Sequence, residues 1–158
     1  MSPKLHRYAL SMQWTGNNGT GTSDYQSYSR NHIFRIKNKP DLEGSSDIAF
    51  RGDATKYNPE ELLVASLSSC HMLWYLHLCC NEGIIVEQYE DNAEGLMQEL
   101  SDGSGKFEKV ILRPTVIISR EDMVEKAKQL HEQANAKCFI ANSCNFPVHH
   151  EPRIMVLK

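Results

Sequence analysis

Positive charge is not in excess: 17 Lys and Arg stand against 20 Asp and Glu, for a net charge of −3. A duplex or single strand of nucleic acid needs a basic surface, so neither is an expected partner. The N-terminal MSPKLHRYALSMQW lacks the apolar core and small-residue cleavage site of an export signal, and the expected location is the cytoplasm. No long hydrophobic run is free of interruption. The most apolar stretch, NPEELLVASLSSCHMLWYLHLCC from Asn58 to Cys80, begins with two glutamates and contains Ser68, Ser69, His71, His77 and three cysteines. It reads as a buried helix rather than a membrane span. Cysteines are few and odd in number: Cys70, Cys79, Cys80, Cys138 and Cys144. An odd set without an export signal argues against a disulfide framework. No CxxC pair and no HExxH occurs, so zinc-ligand spacing is absent. No GxSxG frame surrounds Ser68 or Ser69. Repeats and low-complexity segments are absent too.

What remains is an ordinary globular composition, 41% hydrophobic and 23% charged over 158 residues. That length suits a single domain, 1–158, with a core that needs no disulfide staple. Strand signals fall at Leu5–Trp14, at Ser29–Ile36, and more briefly at Ile48–Phe50. The segments TGNNGTGTSD and KNKPDLEGSSD between them read as loops. Asn58 is a good N-cap, Pro59 fits the first helical position, and Glu61 stands where a capping-box partner belongs. The long helix should run to about Asn81, with Gly83 at its C-terminal cap. It is apolar nearly all round, as expected of a helix enclosed by protein, with a sheet on one side and a partner subunit on the other. Strands are expected at Ile84–Tyr89 and Ala93–Glu99, and one over Phe107–Ser119 in which Pro114 marks an edge or bulge. A second helix should start near Ser119, with Met123, Ala127, Leu130, Ala134 and Cys138 on one stripe. Asn142–Pro147 breaks it, and Arg153–Leu157 forms a last strand. The pattern indicates an α+β fold with mainly antiparallel pairing.

Two blocks carry chemistry: NPEELLVASLSSCHM around Cys70 and AKCFIANSCNFPV around Cys138, 68 residues apart. With FRGD before the first block, they resemble the OsmC/Ohr organic hydroperoxide reductases, and the OsmC-like branch in particular. The resemblance implies an antiparallel sheet packed on a long buried central helix, in an intertwined homodimer. It implies a cysteine peroxidase of oxidative stress defence, with no metal, flavin or haem. Cys70 would attack the peroxide and become a sulfenic acid. Cys138 would condense with it to a disulfide, and a dithiol, lipoyl-type by analogy with the family, would reduce that disulfide. An arginine and a glutamate would support the thiolate. The glutamate maps to Glu60 and the arginine to Arg51, with Arg30 as the alternative. These residue types suit the chemistry, because the nucleophile is a thiolate and a guanidinium beside it favours negative charge.

Helix geometry adds a constraint. Glu60 and Cys70 lie about 15 Å apart along the axis and roughly 80° apart around it. One arginine cannot serve both on the same helix. Two antiparallel copies would bring the Glu60 of one chain toward the Cys70 of the other, so the site is expected at a two-fold interface.

The other reactive residues have plainer readings. Cys79 and Cys80 read as packing thiols, and Cys144 as a core thiol that could still rival Cys138. His71 and His77 point to different sides of the helix, and a satisfied core histidine is the ordinary reading for His71. Trp74, Tyr75 and Met72 are core at helical spacing, although an apolar rim would suit a fatty or aromatic hydroperoxide. Two other functions compete with the peroxidase: a non-catalytic dimeric protein binding an apolar ligand between its central helices, and an acyl-transfer thiol enzyme indifferent to Cys138.

Overall fold

The computed structural model describes residues 3–157. The chain divides into two compact units, up to Leu62 and from Leu63 onward, with the boundary in the first turn of the long helix.

The first unit carries an antiparallel sheet of β1 (Ser11–Trp14), β2 (His32–Arg35) and β3 (Leu42–Gly44), in that order. The strand expected over Leu5–Trp14 is cut to its last four residues, which are the ones that find partners on β2. β3 falls in a segment expected to be loop. Its Gly44 pairs with His32, whose ring lies so close that a Cβ would meet Nε2 at 2.4 Å. Ile48–Phe50 is a 3-10 helix, not a strand. The Asp47 carboxylate accepts the Ala49 N–H at 2.7 Å, and this local bond turns the chain before an extended partner can pair with it.

The long helix α1 covers Pro59–Asn81. Its start is a reciprocal capping box: the Glu61 N–H donates to Asn58 Oδ1 at 2.7 Å and the Asn58 N–H donates to Glu61 Oε2 at 3.1 Å. Each bond satisfies a backbone donor that a helix end leaves free. Gly83, with φ 70°, follows its end in the left-handed conformation that glycine adopts at no steric cost.

The second unit has two sheets. One runs β4 (Val86–Asp91), β7 (Pro114–Ile118), β9 (Arg153–Val156); the other runs β5 (Glu94–Glu99), β6 (Gly105–Leu112), β8 (Val148–His150). β4·β7 and β5·β6 are antiparallel, whereas β6·β8 and β7·β9 are parallel. The single strand expected over Phe107–Ser119 is therefore two, and the chain passes from one sheet to the other at Arg113–Pro114. Pro114 has no N–H to give a ladder and sits at the first position of its strand. The Arg113 N–H goes instead to the Asp91 carboxylate at 2.7 Å. β8 and β9 make the same change of sheet at Glu151–Pro152. Arg113 joins the two crossings, donating from Nε to Glu151 at 3.1 Å and from Nη2 to Glu94 at 2.9 Å.

The second helix, α2, covers Val124–Lys137, entered through a 3-10 turn at Glu121–Met123. Ser119 does not cap it. Its N–H continues the sheet by donating to Ile85 O at 3.1 Å. α2 buries Ala127, Leu130, His131 and Ala134. Ala127, Leu130 and Ala134 form the larger hydrophobic core with Tyr75, Cys79, Ile84, Val116 and Ile118, and Leu67, Val110 and Leu112 form a smaller one.

α1 is long and apolar enough to cross a membrane by length and composition, with a mean hydropathy of 1.4. One stripe of it, Leu67, His71, Tyr75 and Cys79, is built into the core. Leu73, on another face, is 61% exposed.

Candidate active site

Cys70 sits in the middle of α1, far past the first turn where a helix dipole lowers a thiol pKa. It is half-buried. Cys138 is the residue that ends α2. Its φ of −65° and ψ of 113° take the backbone out of the helix, and it is buried. The two thiols are near neighbours, and no disulfide joins them. Burial pushes the Cys138 thiol up to about 11, and the Cys70 thiol beside it adds to the shift. The Ala141 N–H points at Cys138 Sγ from 3.4 Å, a donor that works in the opposite direction by favouring the thiolate. Cys138 is thus a protonated, sheltered thiol facing a more accessible one.

One turn beyond Cys70 lies an open depression of about 290 Å³ lined by Leu73, Trp74 and His77. Phe139, next to Cys138 and 70% exposed, meets the Trp74 ring edge-on at 5.7 Å. Lys137 places its ammonium 5.6 Å from the centre of the same ring. Met72 and Tyr75 take no part in the depression, and Tyr75 belongs to the core.

Glu60 and Arg51, the two other candidates, belong to the first unit. Glu60 is at the second position of α1, and its Oε2 is buried without a hydrogen-bond partner among the described residues. Arg51 ends the Ile48–Phe50 turn in the left-handed region, φ 62°, with its side chain exposed. Arg30 is already engaged. Its guanidinium donates to Tyr28 O at 2.6 Å and Tyr25 O at 2.8 Å, and lies 4.2 Å from the centres of both tyrosine rings.

A second cluster lies beside Cys70: His71 is in the core as expected, and its pairing with His131 was not foreseen. His71 and His131 are 1% and 0% exposed. The nitrogens His71 Nε2 and His131 Nδ1 are 2.9 Å apart. The face of His131 is covered by the Tyr75 ring at 3.9 Å, and His150 lies 5.6 Å from His71. Burial lowers His71 to about 4 and His131 to about 3, with neighbouring histidines adding to both shifts. Both are neutral at pH 7. One signal could have found the pair: His131 stands four residues after Ala127 and three before Ala134, on the stripe already assigned to the core. Among the described residues no group of three or more His, Cys, Asp or Glu is placed to hold a metal ion.

The remaining cysteines stand apart from this pair. Cys79 is buried and Cys80 exposed. Cys144 packs beside Leu67, Val110 and Leu112, and its Sγ donates to Ile140 O at 3.3 Å.

Comparison with known proteins agrees with this architecture. The family model "OsmC-like protein" matches residues 52–153. An OsmC-like protein of unknown function from Vibrio cholerae O1 biovar eltor is 30% identical, with a TM-score of 0.85 over 94% of this chain and 99% of that one. The uncharacterised protein YmaD of Bacillus subtilis (strain 168) is 26% identical over 142 residues, 87% of this chain and 86% of that one. An organic hydroperoxide resistance protein from Elizabethkingia anophelis shares the fold at 18% identity, with a TM-score of 0.67 over 98% of this chain and all of the other. With its two-cysteine arrangement, its central helix and these likenesses, the chain belongs to the OsmC-like protein family.

Proposed function

We propose that the chain is a thiol-dependent peroxidase that reduces organic hydroperoxides to alcohols in the cytoplasm. The observation that carries this reading is the meeting of Cys70 and Cys138 as free thiols, one half-buried and one buried. Their exposures support this division of roles. Peroxide reaches Cys70, whose thiolate attacks the O–O bond. The S–O bond forms as the O–O bond breaks, and the departing alkoxide takes a proton to become the alcohol. Cys138 then attacks the sulfenic sulfur. The S–S bond forms and hydroxide leaves with the Cys138 proton as water. A dithiol reductant, lipoyl-type by analogy with the family, restores both thiols and is itself oxidised to a disulfide.

Mid-helix placement denies Cys70 the dipole that activates many reactive thiols, so a guanidinium has to take that part. Arg51 is proposed for it, since Arg30 is held by two carbonyls and two rings. The unpartnered buried oxygen of Glu60 suits a carboxylate waiting for that arginine. In a homodimer of antiparallel α1 helices, the Glu60 of one copy would support the Cys70 of the other. The apolar face around Leu73 gives such a dimer something to bury. The depression beside Trp74 offers an apolar wall to an organic peroxide.

Thiol titration tests the reading. One equivalent of cumene hydroperoxide should remove two thiols per chain, and dithiothreitol should restore both and sustain turnover. A chain that keeps all its thiols under this treatment is a binding protein instead. One that reacts at Cys70 with activated esters, whether or not Cys138 is present, is an acyl-transfer enzyme.

A further inference from the structure

The buried histidine pair is not needed for any step above, and as a core contact it is a poor choice. Its outer nitrogens, His71 Nδ1 and His131 Nε2, are buried with no hydrogen-bond partner among the described residues. Two leucines would fill the space without leaving polar atoms unpaired. What a hydrogen bond supplies and leucines do not is direction. The two rings are within 11° of parallel with centroids 5.2 Å apart, while the bonded nitrogens are only 2.9 Å apart. The rings therefore meet end to end, and sliding either helix by a fraction of a turn would break the bond.

The position of the pair relative to the cysteines matters most. On α1, Cys70 and His71 are consecutive, about 1.5 Å apart along the axis and about 100° around it. On α2, His131 and Cys138 are seven residues apart, about 10.5 Å along the axis. Two contacts that are side by side on one helix and two turns apart on the other require α2 to lie across α1. Apolar packing of Tyr75 and Cys79 with Ala127, Leu130 and Ala134 holds the helices together without direction, and the hydrogen bond adds a directional contact one residue from Cys70.

We propose that the His71–His131 hydrogen bond is the pin that holds Cys138 in line with Cys70, which makes these histidines positioning residues for disulfide formation. The inference rests on the peroxidase reading. It concerns the second step only, in which the Cys138 sulfur bonds to the Cys70 sulfur and expels hydroxide. That step needs the sulfurs at about 2.05 Å with a restricted dihedral angle. A misplacement of about 1 Å can slow a positioned reaction by about 10²-fold. The first step needs only Cys70 and the peroxide, so the pin should not touch it.

The test separates the two steps. Wild type and His131→Leu are mixed with one equivalent of cumene hydroperoxide in a stopped-flow instrument, and the sulfenic acid is trapped with dimedone at intervals. The expected result is an unchanged first phase, a second phase slowed at least about tenfold, and a Cys70 dimedone adduct that accumulates in the variant. A second phase at the wild-type rate overturns the proposal. Should the Leu variant fail to fold by circular dichroism, His131→Asn and His131→Gln decide it. The Asn amide falls where Nδ1 stood and can keep the bond. The Gln amide falls where Nε2 stood and points away from His71. The proposal requires Asn to resolve within threefold of wild type and Gln to be about tenfold slower; equal rates overturn it. If wild type itself loses no thiols to peroxide, the peroxidase reading fails and the pin is judged by exchange with glutathione. The effective concentration of the Cys70–Cys138 pair must then fall at least about tenfold when the bond is removed, and an unchanged value overturns the pin.

Discussion

Among the contacts between α1 and the α2 segment, two start from consecutive residues of the first helix and are chemical opposites. Cys70 and Cys138 form a pair that is open on one side, unbridged and suited to change. His71 and His131 form a pair that is sealed, neutral and bonded. Helix periodicity alone separates them: about 100° of rotation turns position 70 toward the rim and position 71 into the core. The reactive pair contributes little to holding the fold, and the sealed pair contributes nothing directly to the chemistry. Mutations should therefore divide by step: losing a thiol stops the chemistry, whereas losing the histidine bond slows only disulfide formation, and acid acts on stability through the histidines.

The largest expected effect tests the first half of that division. Cys70→Ser should lower peroxide reduction by at least about 10³-fold, the scale on which losing a nucleophile is felt, while the urea midpoint stays near that of wild type. Cys138→Ser should leave the first oxidation intact and stop turnover after it, leaving Cys70 as a trappable sulfenic acid. If the Cys70 variant unfolds, the thiol pair is part of the framework after all and the contrast collapses.

Acid comes next and acts on the other contact. Both histidines titrate below the ordinary 6.5, at about 4 and about 3. As pH falls through 6.5 the unfolded chain takes up protons that the folded core refuses, so stability present at pH 7 is lost between about pH 6.5 and pH 4 for His71 and down to about pH 3 for His131. At 1.36 kcal/mol per unit, the loss from pH 7 to pH 5 is roughly 4 kcal/mol for the two together. His131→Asn removes one titrating group and should halve the slope of unfolding free energy against pH. A slope that the Asn variant leaves unchanged would assign the acid sensitivity elsewhere.

How much of this could be read from the chain follows the range of the interactions. The capping box at Asn58 and Glu61, the length of α1 and the glycine after it are local, and the residues announce them. β3, β8 and the division of Phe107–Ser119 into two strands depend on partners elsewhere in the chain. Pro114 gave the only local hint, and it pointed to an edge or bulge rather than to a change of sheet. At Ile48–Phe50 the apolar triplet favoured a strand, and a single Asp47 hydrogen bond made it a turn. Cys70 and Cys138 were singled out through the motifs around them, and the fold brings them together. The His71–His131 contact was not, because it needs the crossing angle of two helices whose sequences do not encode it locally. It came closest to being visible in the stripe that holds Ala127, Leu130 and Ala134. Glu60 and Arg51 were reached by motif position alone, and the burial of Glu60 Oε2 is the physical feature that keeps the pairing worth testing.

A smaller effect concerns the link between Ser68 and Asp91. Ser68 Oγ donates to the Asp91 carboxylate, which also takes the Arg113 N–H at the sheet crossing. Ser68→Ala removes one partner and leaves the carboxylate its backbone donor, so a loss of about 1 kcal/mol is expected in urea unfolding. Asp91→Ala leaves a half-buried N–H unpaired as well and should cost more, about 2 kcal/mol. The reverse order would mean that the hydroxyl, not the crossing, is what the carboxylate serves. Neither change should slow thiol oxidation, since both act on the framework side of the division.

The smallest effect bears on whether Cys70 has one partner or two. Cys144 lies only six residues beyond Cys138 and shares its neighbourhood in sequence, yet its side chain is spent on packing. It sits beside Leu67 and Val110, its Sγ donates to Ile140 O, and burial raises its pKa. A valine keeps the apolar contact and adds about one methyl group at a half-buried position, so Cys144→Val should cost less than about 2 kcal/mol and leave peroxide turnover within twofold. The sharper measurement uses Cys138→Ser after one equivalent of peroxide, resolved by mass spectrometry under non-reducing conditions. No intramolecular disulfide should form, because the thiol facing Cys70 is the one at the end of α2. A Cys70–Cys144 bridge in that variant would show that the segment after α2 can swing far enough to replace it. The histidine pin would then hold the helix without choosing the thiol, and the contrast between an open reactive contact and a sealed positioning one would have to be redrawn around the Ala141–Ser143 turn.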